Sequence, residues 1–448
     1  MQIGSVPEMW ELTYGKQREK KLQPLKPMEP LQVATMVMME SRTSVFMQMS
    51  NLSLTTADWL TSPAALPFLE TASAALNAGR TLVQLTQTLR KELSAEQAHA
   101  VLEQVDLRRR GEEKFAAAAR MLFTRTSLQQ ATDEIISRYK AERFPATSPV
   151  EDLCCGIGGD LLGLAERSAC VAVDRDSAIL RLAEYNLSVS GNNQPCCYLA
   201  AEVRPELVTE VAAWHLDPDR RPTGERTIRL ENFSPSLEMI DDLRQANPCG
   251  ALKLAPASEI PADWEADVER EWISRGGECR QQVVWCDRLA KTPGMCRATV
   301  LDGKSHSPRS LVGKQNQPLA VAGELDSYLF EPDPAILAAK LTSALAEELK
   351  LQALTSGCAY LTGSERQPDP AVAMFIIRDA MPFDRKRLKS YFRARDVGQL
   401  EIKKRGVQLE PAEVRRSLGL KGTAAATLII APFREQILAI IAERVGSH

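Results

Sequence analysis

Residues 150–160 read Val-Glu-Asp-Leu-Cys-Cys-Gly-Ile-Gly-Gly-Asp, and residues 171–176 read Val-Ala-Val-Asp-Arg-Asp. The first stretch opens as a short apolar strand of the kind buried in a parallel sheet. Gly156, Gly158 and Gly159 then allow a tight turn and close approach of a ligand to the backbone. Asp160 stands at the start of a helical run from Leu161. Residues 171–173 make a second strand, with Asp174 at its tip. Strand, glycine turn, helix and strand in this order make an α/β unit. An adenosine-bearing ligand suits it, crossing the carboxyl end of the first strand while the carboxylate at the second tip takes both ribose hydroxyls. Dinucleotides and S-adenosylmethionine share that requirement. The G-x-G-G spacing departs from the dinucleotide G-x-G-x-x-G, and Asp160 puts negative charge where a pyrophosphate would sit. A sulfonium ligand tolerates that charge, which favours S-adenosylmethionine.

These two stretches resemble motifs I and II of class I S-adenosylmethionine-dependent methyltransferases, and are similar to those of trimethylguanosine synthase-type RNA methyltransferases. Residues 55–445 resemble bacterial methyltransferases that carry a C-terminal THUMP-like domain. The resemblance implies a Rossmann-like α/β methyltransferase sheet, preceded by an N-terminal helical domain and followed by a small α+β THUMP-like domain. The expected divisions are 1–50, an extension; 51–146, helical; 147–325, cofactor-binding; and 326–448, THUMP-like. It implies S-adenosyl-L-methionine as cofactor, held by Asp152, Cys154, Gly156, Gly158, Gly159, Asp160, Asp174 and Arg175. It also implies that residues 122–132 cover the methionine end of the cofactor, with Phe123, Thr124 and Thr132 lining the pocket. A helix N-cap at Thr126 or Ser127 explains that segment equally well.

Composition excludes several classes. A chain of 448 residues, 44% hydrophobic and 25% charged, has ample core for two to four domains. A net charge of −3 gives no global attraction to nucleic acid, so any such binding needs a local patch. No apolar run reaches membrane-spanning length, and the N-terminus lacks signal-peptide order. The ten cysteines contain no C-x-x-C pair, which fits reduced thiols in the cytoplasm. Cys279, Cys286, Cys296 and His306 match no metal-ligand spacing, so no metal is expected.

Along the chain, residues 1–50 are methionine-rich and poorly patterned. Helices are expected at 72–93, at 95–110 behind a Ser94/Gln97 capping box, at 114–121 and at 129–139. Arg108, Arg109 and Arg110 read as a solvated helix end or an RNA contact. The helix Ser177–Ser190 stops at Gly191, and a third strand follows at 194–199. Its tip offers Glu202 to the adenine amino group, where motif III sits by resemblance. A fourth strand, 211–216, ends in Asp217, Pro218, Asp219, Arg220 and Arg221, at the motif IV position. Amine methylases usually carry Asp or Asn, Pro, Pro and an aromatic residue there. Here Asp219 follows Pro218 and no aromatic is adjacent. Asp217 and Pro218 are the expected catalytic residues. Arg220 and Arg221 either hold a phosphate or carboxylate or form a surface turn. Lys253, in a strand at 250–256, reaches Asp217 or the substrate, or snorkels to solvent as strand-end lysines more often do.

A short helix is expected at 261–270, strands follow to 301, and residues 302–319 read as a linker. Beyond it come a helix at 331–351, strand 373–378, helix 384–393, strand 400–404, helix 411–418, strand 427–431 and a closing helix at 435–444. Residues 384–421 hold twelve Lys or Arg against five Asp or Glu. Lys386, Arg387, Lys389, Arg393, Lys403, Lys404, Arg405, Arg415 and Arg416 either grip phosphates or form a solvated face, and Lys403, Lys404 and Arg405 are the expected RNA contacts among them.

The reading is methyl transfer to a base nitrogen in structured RNA, either tRNA or rRNA. No cysteine adjoins motif IV, which favours nitrogen or oxygen over carbon as acceptor. The rivals are a methyltransferase for a small molecule or a protein, and a catalytically silent protein that binds cofactor and RNA.

Overall fold

The computed structural model describes residues 52–192, 194–220, 227–301 and 307–446. The expected extension, Arg221 and residues 302–306 lie outside the described residues.

Among the described residues six helices precede the first sheet: α1 (Leu54–Thr61), α2 (Leu66–Asn77), α3 (Leu82–Leu89), α4 (Ala95–Gly111), α5 (Arg125–Gln130) and α6 (Glu134–Ala141). The capping box at Ser94 is present, with Gln97 closing it reciprocally. The expected helix at 72–93 is two helices. Gly79, at φ +83°, breaks it, and Thr81 caps the second half with Gln84. Residues 114–121 form turns rather than a helix, and Asp133 rather than Gln129 opens α6. Arg108 is neither solvated nor open to RNA. It is buried and donates to the carbonyls of Met121 at 2.8 Å and Arg120 at 3.2 Å.

The first sheet contains β1 (Val150–Leu153), α7 (Leu161–Ala165), β2 (Cys170–Asp174), α8 (Ser177–Ser190), β3 (Cys196–Ala200), β4 (Ala213–Leu216), α9 (Leu237–Ala246), β5 (Gly250–Leu254), β6 (Glu269–Arg275), β7 (Glu278–Trp285), β8 (Cys296–Leu301) and β9 (Arg309–Gly313). Its strand order is β3-β2-β1-β4-β5-β7-β6-β8-β9. The first five strands in sequence run parallel, and β7 lies antiparallel against β5. Order reverses at β1, which has β2 on one side and β4 on the other. That switch point leaves a crevice at the carboxyl ends of the strands. The expected helix at 261–270 is a single 3₁₀ turn, Ala262–Trp264, followed directly by β6. The expected linker contains β9, whose pairing to β8 extends the sheet by one strand.

The second sheet comprises β10 (Tyr328–Pro332), α10 (Pro334–Ala338), α11 (Thr342–Glu348), β11 (Gln352–Ala353), β12 (Leu361–Gly363), β13 (Val372–Pro382), α12 (Arg385–Arg393), β14 (Val397–Lys404), α13 (Pro411–Leu418), β15 (Ala424–Phe433) and β16 (Gln436–Arg444). Its order is β11-β12-β10-β13-β16-β15-β14. The expected helix at 331–351 starts late, after β10, and breaks at Lys340, which has φ +56°. The expected closing helix is the strand β16. Arg434, at φ +53°, turns the chain back, and β16 pairs on both edges, with β13 and β15. Ile437, Ile440 and Ile441 favour that pleated environment, and burial on both edges overrides the helical spacing.

The sheets share a core. Trp272, Ala298, Val300 and Leu311 of the first pack with Phe330, Ile336 and Leu345 from β10, α10 and α11. Among the described residues no helix is long and apolar enough to cross a membrane.

Candidate active site

A cavity of about 590 Å³ opens at the switch point. Fourteen of the residues expected from sequence line it: Phe123, Thr124, Thr132, Asp152, Cys154, Gly156, Gly159, Asp160, Asp174, Arg175, Glu202, Asp217, Pro218 and Arg220.

The turn after β1 forms one wall. Cys154 leaves the strand at φ +56°, and Gly156 follows at φ +56°. A Cβ built on Gly156 meets nothing within 4 Å, so backbone and open space face each other there. Gly156 N donates to Asp174 Oδ2 at 3.0 Å, and Asp176 N donates to Oδ1 at 2.9 Å. These bonds aim the carboxylate at the tip of β2. Burial raises its pKa to about 6, against the pull of the two amides. Gly158 departs from expectation. Its φ is +88°, a Cβ would face Ala183 and Leu161, and it does not line the cavity. Its role is the turn itself. Gly159 permits packing, because a Cβ would lie 2.9 Å from the backbone of Thr132.

The cover segment is strapped by side-chain amides. Asn186 on α8 accepts from Leu122 N at 2.7 Å and donates to Leu122 O and Ile157 O. Gln104 on α4 accepts from Phe123 N at 2.9 Å and donates to Phe123 O at 2.7 Å. Thr124, rather than Thr126 or Ser127, caps α5, and it also lines the cavity. Phe123 and Thr132 line the cavity as well.

Behind the wall lies a network of buried charges. Lys140 pairs with Asp160, and Thr132 Oγ1 donates to Asp160 Oδ2 at 2.7 Å. Burial alone would raise the Asp160 pKa, but the Lys140 and Lys253 ammonium groups hold it well below the usual carboxylate range. Lys140 Nζ lies 3.3 Å from His215 Nε2, and His215 Nδ1 lies 2.7 Å from Asp152 Oδ1. An ammonium only donates, so Nε2 accepts and Nδ1 carries the hydrogen that Asp152 takes. Asp152 Oδ2 is buried without a hydrogen-bond partner in a residue that lines the cavity. Neither Lys140 nor His215 was among the expected site residues. The signal was available, since a histidine inside the apolar strand β4 needs a buried partner.

Of the two courses expected for Lys253, the one toward Asp217 holds and the one toward solvent does not. Lys253 does not reach solvent, being 6% exposed, and it does not line the cavity. Its ammonium donates to Asp217 Oδ2 at 2.6 Å and to Gln130 O at 3.1 Å. Burial opposes that charge, and the Asp217 and Asp160 carboxylates overcome it, so its pKa is raised.

Lys403 and Lys404 end β14 of the second sheet and Arg405 follows it, each already paired. Lys403 meets Glu331 at 2.7 Å, Arg405 meets Glu331 at 3.4 Å and Lys404 meets Glu410 at 3.0 Å. Tyr391 and Phe392 differ. Phe392 is buried, while Tyr391 is half-buried beneath Arg395.

Residues 372–444 match the family described as THUMP domain-like. An uncharacterized S-adenosylmethionine-dependent methyltransferase of Mycobacterium tuberculosis is 31% identical over 314 residues, covering 69% of this chain and 84% of that protein. The solved structure of a Porphyromonas gingivalis W83 protein assigned as a methyltransferase superposes with a TM-score of 0.71 at 19% identity. That superposition covers 85% of this chain and 98% of the other, and it establishes the shared fold.

Proposed function

Because the chain belongs to the S-adenosylmethionine-dependent methyltransferases, we propose that it methylates a base nitrogen in a structured RNA. The observation that carries the site is Asp217, whose carboxylate stands at the cavity just past β4, on the far side of β1 from Asp174.

The residues present fit the cofactor. Asp174 offers a carboxylate to ribose hydroxyls, Gly156 leaves backbone open to the ligand, and the unpartnered Asp152 Oδ2 suits an ammonium donor. When bound, the cofactor supplies an electrophilic methyl group on a sulfonium. Asp217 orients the acceptor, taking a hydrogen bond from its N–H so that the nitrogen lone pair points at the methyl carbon. With the cofactor bound, the acceptor nitrogen would take the methyl group as sulfur gives it up, and the proton lost from nitrogen would pass to Asp217 and then to solvent. Carbon chemistry is disfavoured. Burial pushes the Cys154 and Cys155 thiols well up, so neither is a thiolate nucleophile at neutral pH.

Asp174 makes cofactor binding pH-dependent. The ionised form accepts from ribose, and the protonated form does so poorly, so affinity should fall as pH drops below about 6. Titration calorimetry with S-adenosylmethionine from pH 5 to 8 is expected to show that decline. Asp174→Ala is expected to weaken binding about 100-fold, the loss of two hydrogen bonds to a charged group. A flat wild-type profile would remove Asp174 from the ribose site.

The second sheet supports the RNA part of the reading through α12. Arg385, Lys386, Arg387 and Arg393 are exposed, and none of them is ion-paired among the described residues. The β14 cations are neutralised by Glu331 and Glu410, so α12 is the better phosphate surface. Reversing Arg385, Lys386 and Arg387 to Glu is expected to weaken RNA binding 10- to 100-fold and to flatten its salt dependence. Reversing Lys403, Lys404 and Arg405 is expected to lower thermal stability with less effect on RNA affinity. Equal RNA affinity in the α12 variant would remove this surface.

The decisive test adds the protein and methyl-labelled S-adenosylmethionine to an extract of cells lacking it, then digests separately with ribonuclease and protease. Label released by ribonuclease is the expected result. Label released only by protease, or found in small molecules, would overturn the RNA reading.

A further inference from the structure

The buried pair Lys253–Asp217 goes beyond holding the strands together. We propose that Lys253 is a positioning residue that sets acceptor specificity: by occupying one oxygen of Asp217 it leaves the other as a lone acceptor facing the cavity, so the substrate atom must carry a hydrogen. This rests on the reading that Asp217 stands at the transfer site.

The geometry is particular. Lys253 sits on β5, next to β4, and its Nζ reaches Asp217 Oδ2 at 2.6 Å from a side chain that does not line the cavity. Gln130 O takes a second hydrogen at 3.1 Å, and Asp160 Oδ2 lies 3.8 Å away. The ammonium is thereby tethered from behind on two sides. Asp217 lines the cavity, its side chain is 26% exposed, and Oδ1 has no partner among the described residues. A carboxylate accepts only. An acceptor with N–H or O–H satisfies Oδ1, whereas an anionic oxygen brought against Oδ1 meets repulsion from the Asp217 carboxylate itself. Without Lys253, Asp217 is free to rotate, and both the orientation of the acceptor and this discrimination weaken.

The test compares Lys253→Met, Lys253→Ala and Asp217→Ala with the full-length wild type. Total RNA from cells lacking the protein is the acceptor, and calorimetry reports S-adenosylmethionine affinity. For Lys253→Met the expected result is a kcat 10- to 100-fold lower, with apparent KM and cofactor affinity within threefold. Lys253→Ala opens a cavity, and added methylammonium is expected to restore its kcat at least severalfold while leaving Lys253→Met unchanged. A folded Lys253→Met with wild-type kcat would overturn the proposal. So would a loss shared equally by kcat and cofactor affinity, which marks a merely structural role. If Lys253→Met does not fold, the amine response of Lys253→Ala decides, and its absence counts against the proposal. Full activity of Asp217→Ala would sink the underlying reading of Asp217. Inactive Asp217→Ala beside active Lys253→Met would sink this inference alone.

Discussion

Asp217→Ala is expected to reduce methyl transfer by about 10²- to 10³-fold while leaving S-adenosylmethionine affinity within a few-fold. The magnitude follows from losing one preorganised hydrogen-bonding group at a transfer centre. The selectivity follows from position, since Asp217 lies past β4 and Asp174 ends β2, with β1 between them. The variant also strands the Lys253 ammonium, which keeps only the Gln130 carbonyl and the more distant Asp160 carboxylate. Breaking a buried pair by removing one partner typically destabilises by about 3 kcal/mol or more. Asp217→Asn, which keeps the shape and one carbonyl oxygen, separates that effect from chemistry. Single-turnover rates alongside thermal melts make the measurement. Turnover at the wild-type level in Asp217→Ala would move the transfer site elsewhere on the cavity wall.

The second large effect concerns stability. Glu151 sits on β1 between Val171 and Trp214 of the flanking strands, is 2% exposed, and its Oε2 has no partner. Burial alone raises its pKa to about 8. An unfolded chain ionises this group near pH 4.5, the folded one near 8. Across that window the folded state keeps a proton that the unfolded state has lost. Its contribution therefore falls as pH rises from about 4.5 to 8. By pH 7 the loss is about 3 kcal/mol. Glu151→Gln cannot ionise and should lose this slope, although its buried amide costs about 1–3 kcal/mol throughout. Urea unfolding at pH 5, 6, 7 and 8 should show the two stability curves converging or crossing as pH rises. Parallel curves would mean that Glu151 is ionised in the fold.

The stretch 150–176 was readable because its constraints are local. A glycine turn, a strand-tip carboxylate and the helix Ser177–Ser190 with its Gly191 stop each declare themselves within a few residues. The helices α12 and α13 were equally legible from Asp384 as cap and Pro411 at the first turn. Elements fixed by distant partners were not. The segment at 436–444 has helical spacing, yet its place between β13 and β15 is decided by strands far from it in sequence. Short β9 and β10 were hidden by polar and proline-rich surroundings. The site behaved likewise. Asp152, Asp174 and Asp217 announce themselves at strand ends. The link from Lys140 through His215 to Asp152 crosses 75 and 63 positions of sequence. The ion pairs that silence Lys403 and Arg405 depend on Glu331, more than 70 positions away.

Trp272, Ala298, Val300 and Leu311 bury their apolar faces against Phe330, Ile336 and Leu345, so the two sheets are joined by core rather than by a tether. For the RNA proposed above, such a joint would work as a ruler. If the second sheet grips that RNA, its reacting atom is presented at one set separation, because the gap cannot stretch without opening the shared core. The methylated position would then be chosen by the length between grip point and acceptor. Shortening an RNA stem by one base pair should shift the methylated position, rather than merely slow the reaction.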